Sequence, residues 1–177
     1  MFTTSAKALK KPASISTMAI MIALYAALYL VKIPLALESR VSLTFIPVAV
    51  TAYLMGPVPA MLVGGLGDIL GFLIFPSGFY FPGFTVSAVL SGAVYGACLY
   101  HAKNAVRLRV IISKVIITLL INIVLNTLWL AIMYEKAFFV YLTTRVVKNL
   151  ILFPFQVIVT IIVLDILDRT GITKKYL

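Results

Sequence analysis

The sequence predicts an all-α integral membrane protein with six transmembrane helices and both termini in the cytoplasm. Of its 177 residues, 63% are apolar and 11% are charged, whereas soluble domains are about half apolar and about a quarter charged. A membrane-spanning helix needs about 20 apolar residues. The chain therefore has room for six spans with short loops, and we expect residues 1–177 to form a single membrane domain.

Uncharged runs and the breaks between them locate the six helices. No charged residue occurs in 12–31, which is the length of one span. The uncharged run 41–67 is too long for one span, and its Gly56-Pro57-Val58-Pro59 segment divides it because the residue before a proline disfavours helix. Prolines and glycines place a loop at 76–83. The predicted helices span residues 12–31, 41–55, 58–75, 84–101, 111–133 and 138–165.

The basic residues predict the orientation in the cell membrane. Fifteen Lys and Arg oppose five Asp and Glu, and positive charge collects in cytoplasmic loops. An even number of spans places both termini on one side, which holds ten basic residues against three on the other. Topology therefore explains the positive charge, and we expect no nucleic-acid partner. The ten are Lys7, Lys10, Lys11, Lys103, Arg107, Arg109, Lys114, Arg169, Lys174 and Lys175; the three are Lys32, Arg40 and Lys136.

Polar side chains inside the predicted spans indicate a pocket that opens to the outside. A charge in the bilayer costs about 2.5–3.5 kcal/mol on insertion scales, so such a residue is a candidate for function. On each helix these residues are spaced so that they share a face. They are Asp68 on the third helix, Asn122, Asn126 and Trp129 on the fifth, and Arg145 and Lys148 on the sixth.

Two interpretations of these residues are open. In one, the cations Arg145 and Lys148 bind an anionic ligand, while amide and carboxylate groups contact a heterocycle and Trp129 stacks on it. In the other, Asp68 pairs with Lys148 or Arg145 and only neutralises buried charge. Two cations against one acid leave one positive charge unmatched, which favours the ligand. Arg40 adds a further cation to this pocket or is a solvated or lipid-contacting residue.

Aromatic and small residues supply further candidates. The aromatic loop 79–84 either caps the pocket or belongs to an interfacial belt. Small residues let membrane helices approach closely, and we expect internal packing for the two GxxxG pairs. The alanine stripe on the first helix serves either internal packing or a partner protein. These small residues are Ala19, Ala23 and Ala27, then Gly67 with Gly71, and Gly92 with Gly96.

Enzyme chemistry finds no support in the sequence. It contains no GxxxxGK[ST] phosphate-binding loop, and its single histidine excludes an HExxH zinc site. No GxSxG nucleophile motif occurs either. We therefore predict a protein that is not an enzyme and has no metal or cofactor.

Taken together, these features resemble a family. Six spans, an AxxxAxxxA stripe and the absence of an ATPase motif are similar to the substrate-binding S component of energy-coupling factor vitamin transporters. The segments PSGFYFPGFT at 76–85, NTLWL at 126–130 and RVVKN at 145–149 resemble the folate-specific members. The resemblance implies a prokaryotic protein that binds folate from outside. It also implies docking on a module of one transmembrane T protein and two ATPases, which hydrolyse the ATP.

The resemblance also assigns roles to residues. It implies that Ala19, Ala23 and Ala27 contact the T protein. Folate carries two carboxylates, a benzoyl ring and a pterin, and the pocket offers a partner for each. The candidate partners are Arg145, Lys148 and Arg40 for the carboxylates or the pterin carbonyl, Trp129, Phe81 and Phe84 for stacking, and Asn126 and Asp68 for the pterin edge. Three alternatives stay open: an S component for another vitamin, a transporter that acts alone, and a membrane scaffold.

Overall fold

The computed structural model describes residues 2–30, 32–36, 39–76, 79–100, 105–134 and 138–171, and most of these residues are helical. Five of the described helices are long and apolar enough to cross a membrane, and a sixth apolar helix is shorter. The elements are α1 (Phe2–Ala6), a 3₁₀ turn (Lys7–Lys10), α2 (Pro12–Leu30), β1 (Lys32–Ala36), β2 (Ser39–Ser42), α3 (Phe45–Met55), α4 (Pro57–Ile74), α5 (Pro82–Leu99), α6 (Val106–Ile116), a π-helical segment (Ile117–Leu125), α7 (Asn126–Tyr134) and α8 (Phe138–Arg169).

The short apolar helix α3 follows a β-hairpin that the sequence did not predict. Strands β1 and β2 pair antiparallel, with Lys32 opposite Ser42, so the chain at 41–42 is strand where a helix was expected. The Ser42 hydroxyl bonds to the Thr44 hydroxyl and accepts the Thr44 backbone N–H, and such local bonds compete with helix formation. At about 1.5 Å per residue, α3 crosses only about half of the hydrocarbon core. Its first residue, Phe45, therefore lies within the bundle.

Both ends of the described chain lie at one end of the bundle, which we call the terminal end. Ser5 is fully buried there, and its hydroxyl donates to the Met55 carbonyl at 2.8 Å and accepts the Val58 N–H at 3.2 Å. The Tyr53 hydroxyl donates to the Asp168 carboxylate at 2.8 Å. The chain near its start and the end of α8 thus both meet the turn between α3 and α4, in agreement with the expectation that the termini share a side.

Helices α4 and α5 cross at very short range. A Cβ atom added at Gly96 would lie 2.2 Å from the Cα of Pro57, and one added at Gly92 would lie 2.5 Å from the carbonyl oxygen of Ala60. Glycine is the only residue that permits this approach of two backbones. The expectation that this glycine pair serves internal packing is confirmed.

Helix α2 has one packed side and one exposed side. Its packed side meets α4, where Cβ atoms added at Gly67 and Gly71 would lie 2.5 and 2.7 Å from the rings of Tyr25 and Tyr29. The second glycine pair therefore also serves internal packing. The alanine stripe is not part of this contact, and it remains available at the surface of the bundle. The exposed residues of the stripe are Ala19, Ala23 and Ala27.

A methyl group at Gly96 is expected to destabilise the protein. Gly96→Ala forces α4 and α5 apart, and overpacking of this kind costs about 1–3 kcal/mol. We expect a lower melting temperature in detergent. Ala97→Val is the control because Ala97 is the exposed neighbour on the same helix. Equal melting temperatures for Gly96→Ala and the unchanged protein would contradict the packing described above.

Candidate functional site

A cavity of about 320 Å³ lies among the helices, away from the terminal end. Ligand pockets occupy about 300–1,000 Å³, so this volume suits a small molecule. Its wall includes residues from every apolar helix and from the hairpin. The polar and aromatic residues of the wall are Tyr25, Ser42, Thr44, Phe45, Asp68, Phe84, Ser87, Ser91, Tyr95, Lys114, Asn122, Asn126, Arg145, Lys148, Asn149 and Gln156.

Positive charge dominates this cavity. The described part of its wall contains three cations, Lys114, Arg145 and Lys148, and one carboxylate, that of Asp68. Arg145 Nη1 donates to the Asn122 carbonyl at 3.3 Å. Among the described residues, none of the three cations forms an ion pair with a carboxylate; the ion pair that is described lies outside the cavity, between Arg107 and Asp165. The described residues therefore do not show Asp68 neutralising Arg145 or Lys148.

Lys114 was expected among the cytoplasmic basic residues, and this expectation is wrong. Its side chain is 1% exposed, and its ammonium donates to Gln156 Oε1 at 3.1 Å. The same ammonium lies 3.8 Å from the centroid of the Phe45 ring, a favourable cation–π distance. The fifth predicted helix in fact begins at Val106, which places Lys114 about 12 Å inside it at about 1.5 Å per residue. Without Lys114, the predicted bias becomes nine basic residues against three.

The π-helical segment Ile117–Leu125 brings two distant polar residues to the same wall. Lys114 precedes this segment and Asn126 follows it, twelve residues later. Twelve residues make about three and a third turns of α-helix, which would point the two side chains a third of a turn apart. Hydrogen bonds from residue i to i+5 widen each turn and reduce this difference. Both residues line the cavity.

Asp68 is connected to the aromatic loop by hydroxyl groups. The Thr85 hydroxyl donates to Asp68 Oδ2 at 2.7 Å, and the Tyr80 hydroxyl lies 2.8 Å from the same Thr85 oxygen. The Tyr80 ring contacts that of Phe72, with centroids 5.1 Å apart. Residues 79–81 are thereby held against α4 and α5, while residues 77–78 of this loop lie outside the described chain.

The predicted stacking residues occupy two layers. Phe84 lines the cavity. The Phe81 ring lies behind it, 6.1 Å from the Phe84 centroid and 5.7 Å from that of Trp129. Trp129 Nε1 donates at 3.1 Å to the hydroxyl of Ser87, which is itself a wall residue. Phe81 and Trp129 thus support the wall, and ligand contact is expected first at Phe84.

The structure brings most of the predicted site residues together. Arg40 lies on β2, and its side chain is outside the part of the structure that is described. Sequence reasoning missed Lys114, Tyr95 and Gln156. A signal for Gln156 was present, because it lies eleven residues after Arg145, a spacing that returns to the same face of a helix. The predicted residues found on the wall are Asp68, Phe84, Asn126, Arg145 and Lys148.

Two wall residues carry buried polar atoms that need a partner. In the described chain, the Tyr95 hydroxyl and Asn126 Oδ1 are the buried side-chain atoms without a hydrogen bond. Most buried polar atoms in proteins are hydrogen-bonded. Both residues line the cavity, so a polar ligand there is able to satisfy both atoms.

Comparison with known proteins yields one consistent family. The model of the ECF transporter substrate-specific component matches residues 13–164. A folate transporter FolT of Clostridium novyi is 43% identical over 136 residues, which cover 77% of this chain and 78% of that protein. A folate transporter FolT of Leuconostoc mesenteroides is 33% identical over 141 residues, with 77% and 76% covered.

A solved structure has the same fold. The crystal structure of FolT bound with folic acid superposes on this chain with a TM-score of 0.75 and 38% sequence identity. The superposition covers 84% of this chain and 89% of the FolT chain. The resemblance predicted from the sequence motifs is therefore confirmed, as are the helical fold and the multi-pass membrane location. The family consists of transporter components and not of enzymes. This chain belongs to the substrate-specific components of ECF transporters.

Proposed function

We propose that the protein binds folate from outside the cell and delivers it to an ATP-driven uptake transporter. One observation carries the proposal: the wall residues that the structure describes put three cations and one carboxylate around a cavity of about 320 Å³. Folate carries two carboxylates, so its charge complements the excess of positive charge. The similarity to a FolT crystallised with folic acid supports folate over other anions.

The cationic pair Arg145 and Lys148 is proposed to hold the two carboxylates. The two residues are three positions apart on α8 and share a face. Phe84 offers a ring for stacking, and Asn126 offers the unsatisfied Oδ1 to an N–H donor of the ligand. Asp68 is an acceptor fixed by Thr85, and it suits an N–H donor of the ligand.

The partners of this subunit are proposed from the family and from the exposed side of α2. Ala19, Ala23 and Ala27 lie at the surface of the bundle, where small side chains let a second membrane helix approach closely. A transmembrane T protein is the proposed occupant of this face. Two ATPases bound to that T protein would supply the energy, with no ATP hydrolysis by this chain.

Binding by the isolated protein tests the proposal. Purified protein in detergent is titrated with folate, with Trp129 fluorescence and calorimetry as readouts and with riboflavin, thiamine and biotin as controls. We expect tight one-to-one binding of folate alone. Binding of another vitamin would retain the family and replace the ligand. Uptake into liposomes without any ATPase would instead support a transporter that acts alone.

Removal of the Arg145 guanidinium is expected to weaken folate binding strongly. Truncation of a buried hydrogen-bonded charge costs about 2–5 kcal/mol, which is about 30-fold to several thousand-fold in Kd. Arg107→Ala is the control, because Arg107 is 71% exposed and its ion pair lies outside the cavity. An unchanged Kd for Arg145→Ala would remove Arg145 from the site.

A bulky residue on the alanine stripe is expected to separate binding from transport. Ala23→Phe should leave the Kd for folate unchanged, because this residue faces away from the cavity, and should abolish folate uptake by cells that contain the complete transporter. Ala97→Phe is the matched control on α5, where the alanine is also exposed. Normal uptake with Ala23→Phe would exclude the stripe as the docking surface.

A further inference from the structure

We infer that Lys114, at the closed end of the cavity, selects ligands whose buried ring carries a carbonyl oxygen. This inference rests on the proposed function, in which the ligand is folate. It assigns the pterin carbonyl to the Lys114 ammonium. Lys114 then determines specificity: it favours a pterin, which carries an oxygen at ring position 4, over the analogue that carries an amino group there.

Lys114 has donor capacity that the protein does not use. An ammonium group has three N–H donors. The described contacts of Lys114 are one hydrogen bond, to Gln156 Oε1 at 3.1 Å, and two aromatic rings, with centroids 3.8 Å away for Phe45 and 5.4 Å away for Tyr95. The side chain is 1% exposed and lines the cavity. A ligand atom at this position therefore has to be a hydrogen-bond acceptor.

The position of Lys114 defines the closed end. On α5, Thr85 marks the level of Asp68, to which its hydroxyl donates. Tyr95 lies ten residues further along α5, about 15 Å nearer the terminal end. On α8, Gln156 lies eleven residues nearer the terminal end than Arg145, a similar distance. The cavity thus extends from a ring of charges at Asp68 and Arg145 to a floor formed by Lys114 and its neighbours.

The floor suits a flat ring better than a glutamate group. Two carboxylates need two cations, and the two adjacent cations, Arg145 and Lys148, lie at the other end of the cavity. A carboxylate is also costly to remove from water, so the charged end of the ligand is best placed at the open end. The floor has one cation, the Gln156 amide and the rings of Phe45 and Tyr95. These groups match an aromatic heterocycle that carries one carbonyl oxygen.

A ligand whose pterin carbonyl oxygen is replaced by an amino group tests the assignment of that oxygen to Lys114. Dissociation constants are measured by calorimetry for folate and for its 4-amino analogue with the unchanged protein, Lys114→Met and Lys11→Met. Lys11 is exposed near the terminal end and serves as the control. An ammonium donates to a carbonyl oxygen and repels an amino group that can only donate. The unchanged protein is therefore expected to prefer folate.

Lys114→Met is expected to weaken folate binding about tenfold or more, as for one lost hydrogen bond to a charged group, while the Kd of the 4-amino analogue changes little or falls. The preference for folate then disappears. Equal weakening of both ligands, or no change in either, would overturn the inference. Failure of the unchanged protein to bind folate would instead overturn the proposed function.

A second variant covers loss of folding in Lys114→Met. Gln156→Glu retains Lys114 and places a carboxylate 3.1 Å from its ammonium, where the amide oxygen now lies. Because residue 156 lines the cavity, the new carboxylate accepts from an amino group of the ligand and repels a carbonyl oxygen beside Lys114. We expect the same loss of preference for folate over the 4-amino analogue. A preference that persists in a folded Gln156→Glu protein would contradict the role of Lys114.

Discussion

The hydrocarbon core of the membrane offers no partner to a charged or polar group, and the arrangement of this protein depends on that constraint. Every polar side chain on a spanning helix has to find its partner inside the bundle. Trp129 and Thr85 do so through neighbouring helices. Lys114, Arg145 and Lys148 turn toward one shared space, where their charge exceeds that of Asp68, the one carboxylate found among the described wall residues. The excess is tolerable for a protein that receives an anion there.

Departures from regular helix create the space that these cations share. A bundle of six full-length α-helices would fill its centre with side chains. Here the hairpin β1–β2 replaces the outer part of one helix, so that α3 is only 11 residues long. The π-helical segment widens a second helix beside it. Both features lie next to the cavity, and each is followed by a residue of the cavity wall, Phe45 or Asn126.

The sequence predicted the parts of this fold that follow from composition and spacing. Uncharged runs located the helices, and the spacing of Arg145 and Lys148 predicted their common face. The prediction failed at Lys114, because the predicted helix began at 111 and a cation in the first turn of a helix was assigned to the cytoplasmic side. The helix begins at Val106, and Gln156 replaces water as the partner of the buried ammonium. The hairpin was missed for a related reason: its strands are stabilised by pairing between 32–36 and 39–42, which no local pattern reveals.

Helix α2 connects the two surfaces on which transport is proposed to depend. Tyr25 lines the cavity and packs on Gly67, while Ala23 and Ala27 are exposed on the other side of the same helix. A ligand that contacts Tyr25 is therefore one helix diameter from a docked partner. Linkage requires that any effect of the ligand on docking be matched by an equal effect of docking on ligand affinity. At Gly67, α2 and α4 are in close van der Waals contact. A shift of α2 therefore has to move the cavity wall and the alanine stripe together.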